Sequence, residues 1–247
     1  MTASDLHLAT SDLHLATRNA AALWTALGEA RGHDVIRRPG HLVVDGSART
    51  GLRVLMLGPD PGPDELAALA GLVRRRLPGR LTVEDPFGTV DLTWAGLTPR
   101  PLPVMIRRPV PAPAPPATVT AVTTAEQLAA VEDVVVRGFP LGALQPRRPG
   151  EAFPVSLLDR PGVRFLLARA GDAPAGACLT VTGGGVGGIY WMTTLPEHRS
   201  RGVGRALLHG ALAHLAGLPV TLTAARAGRP LYESLGFLPI TDAAWWS

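Results

Sequence analysis

The stretch Thr194-Leu195-Pro196-Glu197-His198-Arg199-Ser200-Arg201-Gly202-Val203-Gly204-Arg205-Ala206-Leu207-Leu208 holds the residue types best suited to chemistry in this chain. An apolar run ends, a loop with two glycines and two arginines follows, and a helical pattern begins. The N–H groups that open a helix lack intrahelical partners and lie at the positive end of its dipole, so they attract anions. Gly202 and Gly204 allow the backbone to approach a phosphate closely and to take positive φ. Arg199, Arg201 and Arg205 add fixed charge suited to phosphate oxygens. These residues describe a pyrophosphate cradle. A plain surface loop with solvated arginines has the same composition, and two glycines alone do not separate the two readings.

Other candidate groups are weaker. Cys178 is the single cysteine, so no intrachain disulfide forms, and its run Ala177-Cys178-Leu179-Thr180-Val181 reads as buried core and not as a nucleophile site. Gly183, Gly185 and Gly188 spell G-x-G-x-x-G, but they lead into the strand-like Ile189-Tyr190-Trp191-Met192, where a dinucleotide fingerprint must open a helix. A hairpin turn is expected there. Ser4-Asp5-Leu6-His7-Leu8-Ala9-Thr10 recurs at once as residues 11–17, a duplication too short for a coiled coil. His7 and His14 are too far apart for one metal site, and no metal is expected.

The elements that must position the cradle follow from periodicity. Pro109-Val110-Pro111-Ala112-Pro113-Ala114-Pro115-Pro116 reads as a stiff linker that divides the chain. After it, Thr124 caps a helix over 125–137, and irregular sequence fills 139–161. Two hairpins cover 165–195, a helix spans 205–218, a strand 220–223, a short helix 230–235, and a last strand begins at 237. The first half carries a helix over 20–31, an extended pair around Val35 and 42–44, a strand over 52–57 and a helix over 64–77. A strand over 81–84 and a short helix over 86–95 complete it. The expectation is an α/β protein with a mixed central sheet and flanking helices, built as two tandem halves. Its parts are 1–108 with an N-terminal extension, a proline-rich linker over 109–117, and 118–247.

The loop at 199–204 and the segment Pro230-Leu231-Tyr232-Glu233-Ser234-Leu235-Gly236-Phe237 together resemble the GNAT N-acetyltransferase family. The family's acetyl-CoA signature, Gln/Arg-x-x-Gly-x-Gly/Ala, is filled by Arg199, Gly202 and Gly204, and the second segment is similar to its Leu-Tyr-x-x-Leu-Gly-Phe run. The resemblance runs from residue 118 to the C-terminus; the first half, a degenerate GNAT-like copy on this reading, lacks both signatures. It implies the GNAT fold, acetyl-CoA as cosubstrate, and acetyl transfer to an amine by direct attack. It implies that backbone groups of Met192, Thr193 and Thr194 pair with the pantetheine arm as an added strand would. Amides of Ser200, Arg201, Gly202, Val203, Gly204 and Arg205 would hold the pyrophosphate. Tyr232 would protonate the leaving thiolate, a task suited to a phenol of ordinary pKa about 10.

Some positions depart from the family pattern. Ala225 stands where many members have Asn, and Val220 where some have a Glu base. His198, Glu197, Glu151 and Asp159 are the remaining base candidates. These departures keep a second reading open, a catalytically idle CoA-binding or regulatory protein, with Tyr232 as a core aromatic. The counterpart loop in the first half, Gly58-Pro59-Asp60-Pro61-Gly62-Pro63-Asp64-Glu65, removes donors and adds acids, so one CoA per chain is expected.

Composition sets the outer bounds. Hydrophobic content of 46% with 18% charged residues over 247 residues fits a globular protein. No apolar run is long enough for a membrane span, and the N-terminus does not read as a signal peptide, so a cytoplasmic location is expected. The net charge of +4 comes from scattered arginines without lysine, which argues against a nucleic-acid partner. The expected partner is a small-molecule or peptide amine. Its binding residues should come from 139–161 and the first half; Trp245-Trp246 could line an apolar acceptor pocket, but packing of the final strand is the stronger reading.

Overall fold

The computed structural model describes residues 3–111, 114, 116, 118–139 and 141–247, with 3–8 in backbone only. In chain order its elements begin α1 (Ala3–Ala30), β1 (Asp34–Arg37), β2 (His41–Asp45), β3 (Leu52–Met56), α2 (Pro63–Arg76), β4 (Leu81–Asp85) and β5 (Pro99–Arg107). They continue β6 (Val119–Ala121), α3 (Ala125–Gly138), β7 (Val163–Ala170), β8 (Ala173–Gly183), β9 (Val186–Thr194), α4 (Val203–His214), β10 (Val220–Thr223), α5 (Arg229–Glu233) and β11 (Leu238–Trp246). This is the mixed α/β arrangement expected from the sequence.

The chain divides into two units, one of residues up to Ile106 together with Thr223–Ser247, the other Arg107–Leu222. The division differs from the expected boundary at 109–117, of which residues 112, 113, 115 and 117 lie outside the described residues. The cause is β11. It runs antiparallel to β4 from Ala244 to Trp246 and to β5 from Leu238 to Trp246. Trp246 is buried in the cluster of Val54, Leu69, Val73 and Val83, and Ala243 packs with Ala16 and Val104. Trp245 lies over the Arg53 guanidinium, which also stacks 3.8 Å from the Trp24 ring and pairs with buried Glu84. The two tryptophans are therefore spent on packing the last strand.

Three elements of the first unit depart from expectation. α1 starts at Ala3 and absorbs both copies of the heptad. The stretch 86–95 is a loop ending in a single 3-10 turn, Thr93–Ala95, because the Asp85 carboxylate accepts the amides of Phe87, Thr89 and Val90 and so competes with helix bonding. β5 is a strand despite Pro99, Pro101 and Pro103. Thr98 and Ser247 exchange both N–H···O bonds (3.2 and 3.3 Å), so even-numbered residues turn their donors to β11. The prolines, all odd-numbered, remove donors from the opposite edge only.

Each unit contains an antiparallel meander followed by a parallel β-α-β crossover. In the first, β1, β2 and β3 lead through α2 to β4. In the second, β6, β7, β8 and β9 lead through α4 to β10. α3 starts at a capping box in which Thr124 Oγ1 accepts the Gln127 amide at 3.2 Å and Gln127 Oε1 accepts the Thr124 amide at 3.3 Å. The G-x-G-x-x-G stretch forms the β8–β9 hairpin: Gly184 (φ 59°) and Gly185 (φ 77°) make its two-residue turn between paired Gly183 and Val186.

Candidate active site

β9 and β10 begin as a parallel pair at Gly187–Val220 and Gly188–Thr221, and among the described residues they pair nowhere else. Beyond Gly188 the strands diverge, so no strand lies on that edge of Met192, Thr193 and Thr194 among the described residues. The opposite edge of β9 stays on β8. The first unit provides an internal contrast: β3 and β4 stay in register over four pairs, Leu52–Leu81 to Leu55–Glu84, and leave no comparable gap.

A bulge shapes the open part of β9. Tyr190 faces Leu179 and Thr193 faces Ala177, so Trp191 and Met192 together oppose Cys178. Trp191 takes φ 45°, a left-handed conformation costly for a bulky residue. Cys178 beneath it is fully buried, and burial pushes its thiol far above the usual range, which leaves an inert core residue.

The loop after β9 turns through a 3-10 segment, Pro196–His198, and then through two left-handed residues, Ser200 (φ 59°) and Gly202 (φ 80°). Alternation of this kind turns successive N–H groups toward one concavity, the form of an anion nest. Gly202 is the N-cap of α4 and has no side chain to occupy the first-turn amides of Val203, Gly204 and Arg205. Arg201 and Arg205 are exposed at the rim. Arg199, expected to face phosphate, instead ties the loop down. Its Nε donates to the Thr194 carbonyl at 3.2 Å and its Nη2 to the Gly138 carbonyl at 3.4 Å.

Strand end and loop meet at Gly176 of β8. A Cβ there would lie 2.9 Å from Val203 Cγ1 and 3.0 Å from the Thr193 carbonyl oxygen, so only glycine allows the first turn of α4 so close to β9. The structure thus brings together Met192, Thr193, Thr194, Arg199, Ser200, Arg201, Gly202, Val203, Gly204 and Arg205. Chemically, the arrangement offers a strand edge for an extended amide-bearing chain and an adjoining basic cradle for its phosphates.

Tyr232 belongs to the other unit. It is 7% exposed on α5, edge-on to Phe237 with ring centroids 5.9 Å apart. A Cβ on Gly228 would touch its ring at 2.9 Å. Among the base candidates, Glu197 is ion-paired with Arg137 at 3.1 Å. A backbone hydrogen bond, with the charges of Arg137 and His198, holds its carboxyl below the usual range and makes it a poor base. His198 is half-buried, and its Nδ1 has no hydrogen-bond partner among the described residues. Asp159 is exposed, and Glu151 lies in the loop anchored by buried Glu132. Sequence reasoning missed Glu132, Phe153 and Trp191. Only the acid at 132, inside an otherwise apolar helix face, signalled an unusual position.

Residues 161–239 match the family model of the acetyltransferase (GNAT) domain. This region is a GNAT domain. No curated protein matches the chain. Solved structures share the fold over most of its length. A GCN5-related N-acetyltransferase from Kribbella flavida is 19% identical with a TM-score of 0.61, covering 92% of this chain and 94% of its own. An acetyltransferase assigned to the GNAT family from Novosphingobium aromaticivorans is 17% identical with a TM-score of 0.59, covering 86% and 90%. A tandem GNAT protein from the clavulanic acid biosynthesis pathway is 20% identical with a TM-score of 0.53, covering 86% and 80%. Among the described residues no helix is long and apolar enough to cross a membrane, and no cluster of acids, histidines and cysteine could hold a metal.

Proposed function

We propose that this chain is an acetyl-CoA-dependent N-acetyltransferase that transfers acetyl to the amine of a small molecule or an amino terminus. The observation that carries this reading is the divergence of β9 from β10 next to the left-handed loop at α4. Backbone groups of Met192, Thr193 and Thr194 would pair with the pantetheine arm, and amides of 200–205 would hold the pyrophosphate. The neutral acceptor amine would attack the thioester carbonyl directly, and a strand amide would stabilise the oxyanion. As the C–S bond breaks, Tyr232 would protonate the departing thiolate and regain a proton from solvent, while the nitrogen would release its extra proton to solvent. The first unit is a degenerate GNAT-like copy on this reading. Its in-register β3–β4 pair and the loop Gly58-Pro59-Asp60-Pro61-Gly62-Pro63 argue against a second donor site. The working site lies in the cytoplasm and needs no metal.

A catalytically idle CoA-binding protein is the second reading, favoured by the close packing of Tyr232 beneath Gly228 and against Phe237. Thiol release from acetyl-CoA, followed with DTNB across a panel of amines and amino-terminal peptides, separates the two. Amine-dependent release supports the transferase. Thermal stabilisation by acetyl-CoA without turnover on any amine supports the idle protein.

A further inference from the structure

Glu132 is a carboxylate on α3 that is 1% exposed, yet it belongs to no part of the cradle. It accepts four hydrogen bonds from the loop that follows α3. Arg147 Nη1 and the Gly150 amide each donate to Oε2 at 2.9 Å, and the Ala152 and Phe153 amides donate to Oε1 at 2.8 and 3.2 Å. A buried carboxylate with both oxygens filled by charged or backbone donors is a rigid anchor, and removing the charge leaves those donors without acceptors.

The anchored loop ends at Phe153, which is 2% exposed. Its ring stands edge-on to Phe165 of β7 (5.1 Å, 62°) and to Trp191 of β9 (5.3 Å, 65°). Trp191 is the left-handed bulge residue immediately before Met192, Thr193 and Thr194. A conformation of this cost persists only where surrounding packing fixes it. The path from carboxylate to strand edge is therefore continuous: Glu132 holds the Phe153 backbone, the Phe153 ring braces Trp191, and Trp191 sets the direction of residues 192–194.

We propose that Glu132 is a positioning residue for the donor site, holding the β9 bulge in its binding geometry through Phe153. The role rests on the reading of β9 as the cosubstrate edge, but the positioning itself is measurable without any ligand. Hydrogen exchange of peptides covering 190–194 should accelerate roughly tenfold in Glu132→Gln, whose amide presents a donor to the Arg147 guanidinium and the Gly150 amide. Phe153→Leu keeps the carboxylate network and removes the aromatic brace, and should accelerate the same peptides; it is the variant to use if Glu132→Gln fails to fold. Leu69→Ala, a buried α2 substitution in the cluster with Val54, Val73 and Val83, is the control: it lowers stability but leaves exchange at 190–194 at the wild-type rate after correction for global unfolding.

With coenzyme A as the probe, calorimetry should then show Kd raised roughly tenfold in both path variants and unchanged in the control. Wild-type exchange at 190–194 in either path variant would overturn the positioning role and assign Glu132 to stability alone. Accelerated exchange in the path variants, together with no coenzyme A binding by the wild-type protein, would sustain the mechanical link while removing the donor-site reading.

Discussion

Gly202→Ala isolates the backbone conformation of the cradle from its sterics. Gly202 has φ 80°, and a Cβ built on it meets nothing within 4 Å, so alanine introduces no clash. Holding an L-residue left-handed costs about 1–2 kcal/mol. Relief comes by rotating the cap toward right-handed φ, which turns the amides of Val203, Gly204 and Arg205 away from the concavity. Binding must restore the strained form, so the same energy reappears as a rise in the coenzyme A Kd of roughly 5- to 30-fold. Gly217, just past α4, provides the matched control, with φ 82° and equally open surroundings. Gly217→Ala should lower Tm by a similar amount and leave Kd within about twofold. The assay is calorimetric titration at 25 °C with thermal unfolding of both variants. Equal Kd values for Gly202→Ala and Gly217→Ala would show that coenzyme A binding does not depend on the left-handed cap.

Arg199→Ala removes the tether to the Thr194 and Gly138 carbonyls and should weaken coenzyme A about three- to tenfold. Arg199→Lys should not restore it, since one ammonium cannot span both carbonyls as the guanidinium fork does. Tyr232→Phe keeps the ring contact with Phe237. A fall in amine-dependent kcat of about 10²-fold or more with little change in Tm would assign the hydroxyl to protonation of the thiolate, whereas an unchanged kcat would assign the residue to packing. His41 is fully buried, and burial, with Arg38 nearby, holds its imidazole below the ordinary value against the opposing pull of Glu65. The unfolded chain therefore takes up a proton first. His41 stabilises the fold above about pH 6.5 and loses that contribution as pH falls below it. His33 and His214 are lowered likewise, chiefly by burial, and act in the same direction. Urea midpoints measured from pH 8 to 5 should decline more steeply in the wild type than in His41→Asn, and an equal pH dependence of the two would contradict this.

The left-handed turn at Gly202 into α4, the candidate cradle, was legible because its signal is local: the glycines, the arginines and the helix start lie within a few residues of one another. The Gly184-Gly185 turn and the Thr124 capping box were legible for the same reason. What sequence could not show were choices made by distant partners. β11 follows the second half in the chain but pairs with β4 and β5, a matter of long-range register that no local pattern records. β5 was hidden by its prolines, whose alternate spacing is harmless only once β11 fixes which edge needs donors. The helix expected over 86–95 gave way to the Asp85 carboxylate, whose three amide bonds compete with helical ones. Arg199 has the residue type for phosphate, yet nearby carbonyls claim it. Nothing in the identity of Trp191 announces a left-handed bulge; that follows from the extra β9 residue opposite Cys178.

On the proposed reading the chain has one donor site, at the diverging pair β9–β10 and not at the in-register pair β3–β4. Calorimetric titration of the full chain with acetyl-CoA tests it directly. One equivalent should bind per chain, with binding weakened by Gly202→Ala. Two equivalent sites, or no binding at all, would contradict it.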